Sequence, residues 1–406
     1  MFQKNYPHSF EEKKMNKIIY LALFSFGTLS CKNDIKKNNG EIVITTFAKS
    51  NSIKKEKKKP KDIEIVFCLD ATGSMSGLIG TAKEKIWDIV SELAQSNDVE
   101  SLKLGMVFYR DRGDGFVTKQ IELTNDLDEV YSDLLEINAA GGGDTPESVN
   151  QALHEAISDM KWSNKSSTYK TIFVVGDCPP HMDYQDDVKY NQSCKIAAKN
   201  GIIINTIKLG TSCKSAIYHF KEMASCTNGE FMQLDQQASD FVIATPYDND
   251  IYEASQSIDQ SRMYYGNQVE QSVNYSKKEK SMAVYEKSSK TSNSARASYK
   301  MSKSGRKSWL GNKEIINDYA NGKITIDQIK DDELPKELKG KSKDEIKVIL
   351  EKLKKERSEK ERKLKELSEK RKEFIKTKKK ELNSSKQSSF SEKVVDVLKK
   401  QAKKKE

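Results

Sequence analysis

Short apolar runs alternate along the chain with longer stretches in which apolar residues recur at helical spacing. DIEIVFCLD (62–70) is rich in Ile and Val, the pattern of a strand buried on both faces. SGLIGTAKEKIWDIVSELAQ then places Leu78, Ile79, Ala82, Ile86, Ile89, Val90 and Leu93 on one helical stripe. The alternation continues. SLKLGMVFYRD, FVTKQIELT, YKTIFVVGD, GIIINTIKLG and GEFMQL read as strands. NDLDEVYSDLLEI reads as a helix with acidic residues in its first turn. A glycine loop, GGGDTPE, opens another helix with Pro146 near its start. DDVKYNQSCKIAAKN, CKSAIYHFKEMASC and residues 236–258 complete the set. Strands alternating with helices predict right-handed βαβ units: an α/β, doubly wound, mostly parallel sheet with helices on both faces.

The pattern changes at both ends. Residues 262–306 are rich in Ser, Lys and Tyr with little apolar periodicity, so 261–310 reads as a linker. Residues 311–340 read as a small helical element ending near Leu334-Pro335, and 341–384 as one long charged helix. Ile346, Leu350, Leu353, Leu364, Leu367 and Phe374 make a stripe on that helix, broken by Arg357, Lys360 and Arg371. A broken stripe is a poor heptad, and i,i+4 charge pairs favour a solitary helix acting as a spacer or partner-binding arm over a coiled coil. Residues 385–406 read as a basic tail.

At the other end, Lys13, Lys14 and Lys17 precede IIYLALFSFGTLS and then Cys31. A basic stretch and an apolar run of 13 residues are too short to span a bilayer as a helix. The arrangement resembles a bacterial lipoprotein signal peptide with its lipobox, although Thr28 stands where Leu is usual. Met15 opens a conventional signal of its own, and an uncleaved anchor is the alternative. The resemblance implies a signal over 1–31, lipidation of Cys31 and anchoring in a bacterial envelope, facing the periplasm or the medium. Residues 32–60, rich in Lys and Asn, would be a tether, leaving 61–260 as the folded domain.

Composition fits this division. The chain is 32% charged and 36% hydrophobic, with a mean hydropathy of −0.73, too polar for one globule throughout its 406 residues. The net charge of +10 conceals about −16 over residues 61–260, about +8 before and about +18 after. The basic excess of the C-terminal third is interleaved with Glu. It reads as a solvated helix rather than a nucleic-acid or anionic-membrane patch, and no nucleic-acid partner is expected.

Five cysteines follow Cys31, at 68, 178, 194, 213 and 226, an odd number at irregular spacing that does not suggest a disulfide framework. Cys68 reads as a small buried hydrophobe. A Cys213–Cys226 bridge is possible, since both flank one helix, but it is disfavoured because that helix would hold its ends too far apart. His8, His154, His181 and His219 are scattered, and no spacing suits zinc.

Three loops fall where ligands bind such sheets, at the carboxyl ends of the strands: DATGS, GGGDTPE and GDCPPH. Asp70, Thr72 and Ser74 offer a carboxylate and two hydroxyls at alternate positions, and Asp177 ends a second buried strand as Asp70 ends the first. Hard oxygen donors without His or Cys favour Mg²⁺, with Mn²⁺ or Ca²⁺ also compatible. His181 and the Pro179-Pro180 pair read as loop-shaping residues, and Asp183, Asp186 and Asp187 as a helix N-terminal cluster. Tyr109, Arg110 and Asp111 read as a packed ion pair beside the site.

DATGS fits the D-x-[ST]-x-S pattern of the von Willebrand factor type A domain and its metal-ion-dependent adhesion site. YRDRGD (109–114), GGGDTPESVNQALHEA (141–156), GDCPPHMDYQDDVKY (176–190) and ATPYD (244–248) resemble a bacterial branch of that family. The resemblance runs from about Asp62 to ATPYD and, more weakly, to DELPKELKGKSKDE. It implies that Thr72 and Ser74 bind the cation directly, that a second loop adds a Thr, and that the aspartates act partly through water. In the family that Thr follows two glycines; here Gly143 occupies the place, Asp144 is next and Thr145 follows. Asp144 is the expected ligand, with Thr145 second, or the loop is a tight turn with either residue capping the helix. A third carboxylate would tighten the cation and weaken its pull on an acidic partner.

The expected function is binding of a protein partner whose Asp or Glu completes the cation's coordination. No nucleophile–base pair or phosphate loop is evident, so an enzyme is not expected. The alternatives are a metal-independent envelope scaffold working through the C-terminal helix, and a hydrolase whose cation activates water.

Overall fold

The computed structural model describes residues 61–96, 99–143, 145–382 and 389–404. The signal peptide, Cys31 and tether predicted over 1–60 lie outside the described residues, and so does Asp144. Six strands form one sheet: β1 (Lys61–Asp70), β2 (Val99–Tyr109), β3 (Thr118–Thr124), β4 (Tyr169–Gly176), β5 (Ile202–Leu209) and β6 (Phe231–Leu234). Their order is β3-β2-β1-β4-β5-β6, all parallel except β3, which returns antiparallel beside β2. The chain leaves β1 toward β2 on one side and later places β4 on the other. The carboxyl end of β1 is therefore the switch point at which such sheets bind ligands.

Alternation along β1 builds both faces of the core. Ile63, Ile65, Phe67 and Leu69 enter one apolar cluster, and Val66 and Cys68 enter the other. The first cluster is completed by α1 (Ser76–Ser96) and α2 (Leu127–Leu135). The second is completed by α3 (Val149–Ser158), α4 (Tyr190–Lys199) and α5 (Ala216–Ser225). The sheet with its two helical layers matches the doubly wound α/β fold expected from the sequence.

Several local expectations need correction. The helix read over 236–258 exists only from Asp248 as α6 (Asp248–Gln260). Pro246 disfavours helical backbone at the residue before it, and Thr245 instead binds the Asp248 carboxylate through its N–H and hydroxyl. The segment 261–310, read as a linker, forms α7 (Gln268–Lys287), α8 (Lys290–Lys300) and α9 (Lys303–Trp309). α8 packs on α1 and α6, although its sequence KTSNSARASYK is almost wholly polar. Its buried polar groups have partners: Arg296 makes a two-pronged contact with Asp128 at 2.6 and 2.7 Å, and Lys300 Nζ reaches Asp259 at 2.6 Å.

The long helix is present as α11 (Lys343–Leu382), but it is not solitary: it packs on α6, on α8 and on α10 (Ile315–Ala320). The residues that break its apolar stripe fasten it. Arg357 binds Glu314 at 2.8 Å, Lys360 reaches the Ser257 hydroxyl at 2.7 Å, and Arg371 binds Asp248 at 2.8 Å. The basic tail contains α12 (Phe390–Lys404), whose Phe390, Val394, Val397 and Leu398 are buried in the first core cluster. Gln401 on α12 joins Asn205 and Tyr169 in a buried hydrogen-bond group on the sheet.

Two disulfides are present where the irregular spacing suggested no framework: Cys178–Cys213 joins the loops that follow β4 and β5, and Cys194–Cys226 joins α4 to the end of α5. The Cys213–Cys226 pairing does not occur. Cys68 is the free thiol among the described cysteines; it is buried, and burial pushes its pKa well up.

Candidate metal centre

Asp70 is the last residue of β1, fully buried, and Leu69 lies level with Val175 on β4. The register therefore carries Asp70 and Asp177 to neighbouring points on one edge of the sheet. After Asp70 the chain tightens into a single 3-10 turn, Gly73–Met75. Asp70 Oδ1 accepts hydrogen bonds from Thr72 N at 2.9 Å and Thr72 Oγ1 at 2.7 Å. Thr72 Oγ1 lies 3.3 Å from Ser74 Oγ, which donates to Asp177 Oδ2 at 3.3 Å. Gln236 Nε2 donates to the same Asp177 oxygen at 2.8 Å. Asp70, Thr72, Ser74 and Asp177 thus form one continuous set of oxygen donors.

The set is buried at one end and open at the other: Asp70, Thr72 and Asp177 are buried, and Ser74 is exposed. Asp70 Oδ2 is buried with no hydrogen-bond partner. Burial pushes the Asp70 pKa up to about 7; the two Thr72 hydrogen bonds work against that rise, and the Asp177 and Asp114 charges add to it. A buried carboxylate with an unused oxygen, beside two hydroxyls and a second carboxylate, lacks a positive charge. These groups fit a hard divalent cation. Among the described residues, no three His, Cys, Asp or Glu side chains gather closely enough to hold a metal, so the hydroxyls are indispensable to this candidate.

Two close approaches depend on glycine. A Cβ at Gly176 would overlap the Tyr109 hydroxyl and press on Asp70 Oδ2 at 3.2 Å. Gly142, at φ +83°, sits where a Cβ would meet Thr72 Cβ at 3.0 Å.

The second loop lies against the first through backbone bonds, Gly73 N to Gly141 O at 3.1 Å and Ala140 N to Ala71 O at 3.0 Å. Asp114 holds it by accepting from Gly142 N at 3.1 Å, a role the sequence reading did not assign. Thr145 is exposed, and among the described residues no hydrogen bond joins it to Asp70, Thr72, Ser74 or Asp177. The helix that follows begins at Val149, so neither Asp144 nor Thr145 stands at its N-cap; Ser148 does. Glu147, also unassigned by sequence, is buried with Oε2 unpartnered. Burial and the neighbouring Asp70, Asp111 and Asp177 charges push its pKa up to about 9.

The third loop is locked to the second. Glu147 N donates to Pro179 O at 2.9 Å and His181 N to Glu147 O at 3.1 Å. Asp111 ties three elements together: it accepts from Ser148 Oγ at 2.8 Å and Tyr184 OH at 2.9 Å, and its Oδ2 lies 3.2 Å from His181 Nε2. The expected Arg110–Asp111 ion pair is absent, because Arg110 turns to the carbonyls of Ala71 and Asn138 instead. Asp186 and Asp187 bind Arg112 and Asp183 binds His181, rather than crowning a helix, since α4 starts only at Tyr190. The Cys178–Cys213 bridge fixes the chain directly after Asp177.

Comparison with known proteins agrees with this geometry. Residues 64–246 match the model of the von Willebrand factor A domain. A segment of 91 residues is 38% identical to von Willebrand factor A domain-containing protein 7 of Rattus norvegicus, covering 22% of this chain and 10% of that protein. Another, of 120 residues, is 27% identical to an ariadne-like RING finger protein of Acanthamoeba polyphaga mimivirus, covering 29% and 11%. The chain thus spans about a tenth of the length of these relatives. Among solved structures it is similar to proximal thread matrix protein 1 from the mussel byssus, at 12% identity and TM-score 0.33 over 44% of this chain and 42% of that one. A form of the same mussel protein with a zinc-occupied adhesion motif gives 14% identity and TM-score 0.32 over 43% and 41%. Domains of this family commonly mediate protein–protein interaction and often bind a divalent cation. Residues 64–246, with their doubly wound sheet and the Asp70–Thr72–Ser74 turn at its switch point, are a von Willebrand factor A domain.

Proposed function

We propose that this domain binds a protein partner through a divalent cation held by Asp70, Thr72, Ser74 and Asp177, with Asp144 or Thr145 of the second loop completing the set. The observation that carries the reading is the buried, unpartnered Asp70 Oδ2 beside two hydroxyls and a second carboxylate. Mg²⁺ is the preferred ion, with Mn²⁺ and Ca²⁺ compatible with the same oxygens. When bound, the cation supplies an electrophilic point that attracts an Asp or Glu carboxylate of the partner.

The residues prepare that contact. Thr72 is held by Asp70, and Gln236 fixes the rotamer of Asp177. The exposed Ser74 marks the side from which a partner approaches. The loops are cross-braced by Asp111, Asp114 and the Cys178–Cys213 bridge, which lowers the ordering cost of binding.

The role is recognition rather than catalysis. A scaffold working through α11 is less well supported, because the apolar stripe of that helix is already covered by α6, α8 and α10. In the cell, the proposed location is the bacterial envelope, with anchoring through lipidated Cys31. The basic and apolar segments before Cys31 support it. Among the described residues no helix is long and apolar enough to cross a membrane.

Equilibrium dialysis of the chain against Mn²⁺ tests the metal claim. One ion per chain is expected, with affinity lost in both Asp70→Ala and Ser74→Ala. Uptake that is absent, or equal in the variants, contradicts it.

A further inference from the structure

We propose that a cavity between the A domain and its C-terminal helices binds a small anion bearing a phosphate or carboxylate group. The cavity has a volume of about 250 Å³ and is bounded by the start of α2, by α7 and by the segment from Tyr299 to Asn312. It lies outside the metal centre and shares no lining residue with it.

Its buried wall offers donors that nothing uses. Arg262 is 2% exposed; its Nη1 donates to the Trp309 carbonyl at 2.8 Å, while Nη2 has no partner. Trp87 is equally buried, and its Nε1 has no partner either. Both groups can only donate, so what satisfies them must accept.

The acids nearby are already occupied. Both Asp128 oxygens bind Arg296, at 2.6 and 2.7 Å. Asp259 Oδ2 takes Lys300 at 2.6 Å and Tyr285 OH at 2.7 Å, and its Oδ1 takes the Trp309 indole. The buried group therefore sets three cations, Arg262, Arg296 and Lys300, against two carboxylates. One positive charge is left over in a place where an uncompensated charge is costly. The depressed pKa of Lys300, about 8, agrees with this surplus: burial and the Arg296 charge lower it, and the two aspartates only partly restore it. At the rim, the exposed Lys277 pairs with the lining Asp126 at 2.9 Å and the exposed Lys307 lies 3.6 Å from Glu100, and the lining still carries four basic side chains, Arg262, Lys277, Lys300 and Lys307, against the two acids Asp126 and Asp128.

The volume lies below the roughly 300–1,000 Å³ of sites that enclose drug-sized ligands. A phosphate ion or a small carboxylate fits that space.

Calorimetric titration of the full chain with inorganic phosphate, and separately with malonate, tests the proposal. EDTA is present throughout to silence the cation site, and chloride holds the ionic strength constant. Saturable binding of either anion is expected, weakened at least tenfold in Arg262→Gln and measurably in Lys307→Gln. Which anion binds names the chemistry. Circular dichroism checks both folds, and Lys307→Gln, altered only at the exposed rim, carries the test if Arg262→Gln does not fold. No saturable binding of either anion by the wild type, or undiminished binding in Lys307→Gln and in any folded Arg262→Gln, overturns it.

Discussion

Arg371 donates through Nε to Asp248 Oδ1 at 2.8 Å, joining residues 123 positions apart with both side chains buried. The contact pins the long C-terminal helix to the first turn of α6. Replacing Arg371 with Met leaves the Asp248 carboxylate buried and short of its cation. A loss of about 3 kcal/mol in unfolding free energy is expected by urea titration. Adding Asp248→Asn should recover part of it, because no orphaned charge then remains. A single variant as stable as wild type would show that α11 is not fastened there.

The disulfides give a second expectation. Cys178–Cys213 and Cys194–Cys226 close stretches of 35 and 32 residues. Each should contribute about 3–4 kcal/mol relative to the reduced chain. Alkylation of the native protein from Cys68 onward should modify none of these four cysteines, and Cys68 should react only after unfolding. Reductant should lower the midpoint of unfolding.

Gly176 tests the packing behind the candidate centre. A methyl group there collides with the Tyr109 hydroxyl and crowds Asp70 Oδ2. Gly176→Ala should cost about 1–3 kcal/mol, as overpacking does, and should weaken cation binding as well. The double variant Gly176→Ala, Tyr109→Phe should recover stability, since the hydroxyl is the nearest obstacle. Unchanged stability of the single variant would contradict the close approach.

The buried ion group under α8 sets an acid limit. Burial alone would raise the Asp259 pKa, but the charges of Lys300, Arg262 and Arg296 outweigh it and hold it at about 2. A carboxylate depressed in the folded state stabilises above its unfolded value near 4, and the contribution is lost as pH falls toward 2. Urea unfolding between pH 5 and pH 2.5 should show falling stability, with a shallower slope in Asp259→Asn. Equal slopes would remove Asp259 from the account.

The sheet and the first half of the site were legible because their causes are local. A run of β-branched residues ending on Asp70 is a buried strand wherever it occurs, and the alternating hydroxyls at 72 and 74 follow within one turn. The C-terminal helices were not legible, for a physical reason. α8 is buried through Arg296 and Lys300, whose partners Asp128 and Asp259 lie far away in sequence, and through Ser292, which meets the distant Tyr131, so apolar periodicity had nothing to report. The same holds for Arg357 and Arg371, which looked like interruptions of a stripe and are its anchors. α12 was hidden by its lysines, although Phe390, Val394 and Leu398 already carried helical spacing. The disulfide partners are set by which helices the strand order brings together, and cysteine spacing does not carry that. Asp114 and Glu147 could have been suspected from their places in YRDRGD and GDTPE, yet only the folded loops show what they touch.

Thermal unfolding of the chain in EDTA, Mg²⁺, Mn²⁺ and Ca²⁺, wild type beside Asp70→Ala, tests whether the oxygen donors around Asp70 hold a cation. A cation that binds the native state alone raises the melting temperature by mass action, and at a hundred times its dissociation constant the gain is about 2.7 kcal/mol. A saturable rise is expected in the wild type and none in Asp70→Ala. Identical melting in EDTA and in every cation, with both proteins folded, would contradict it.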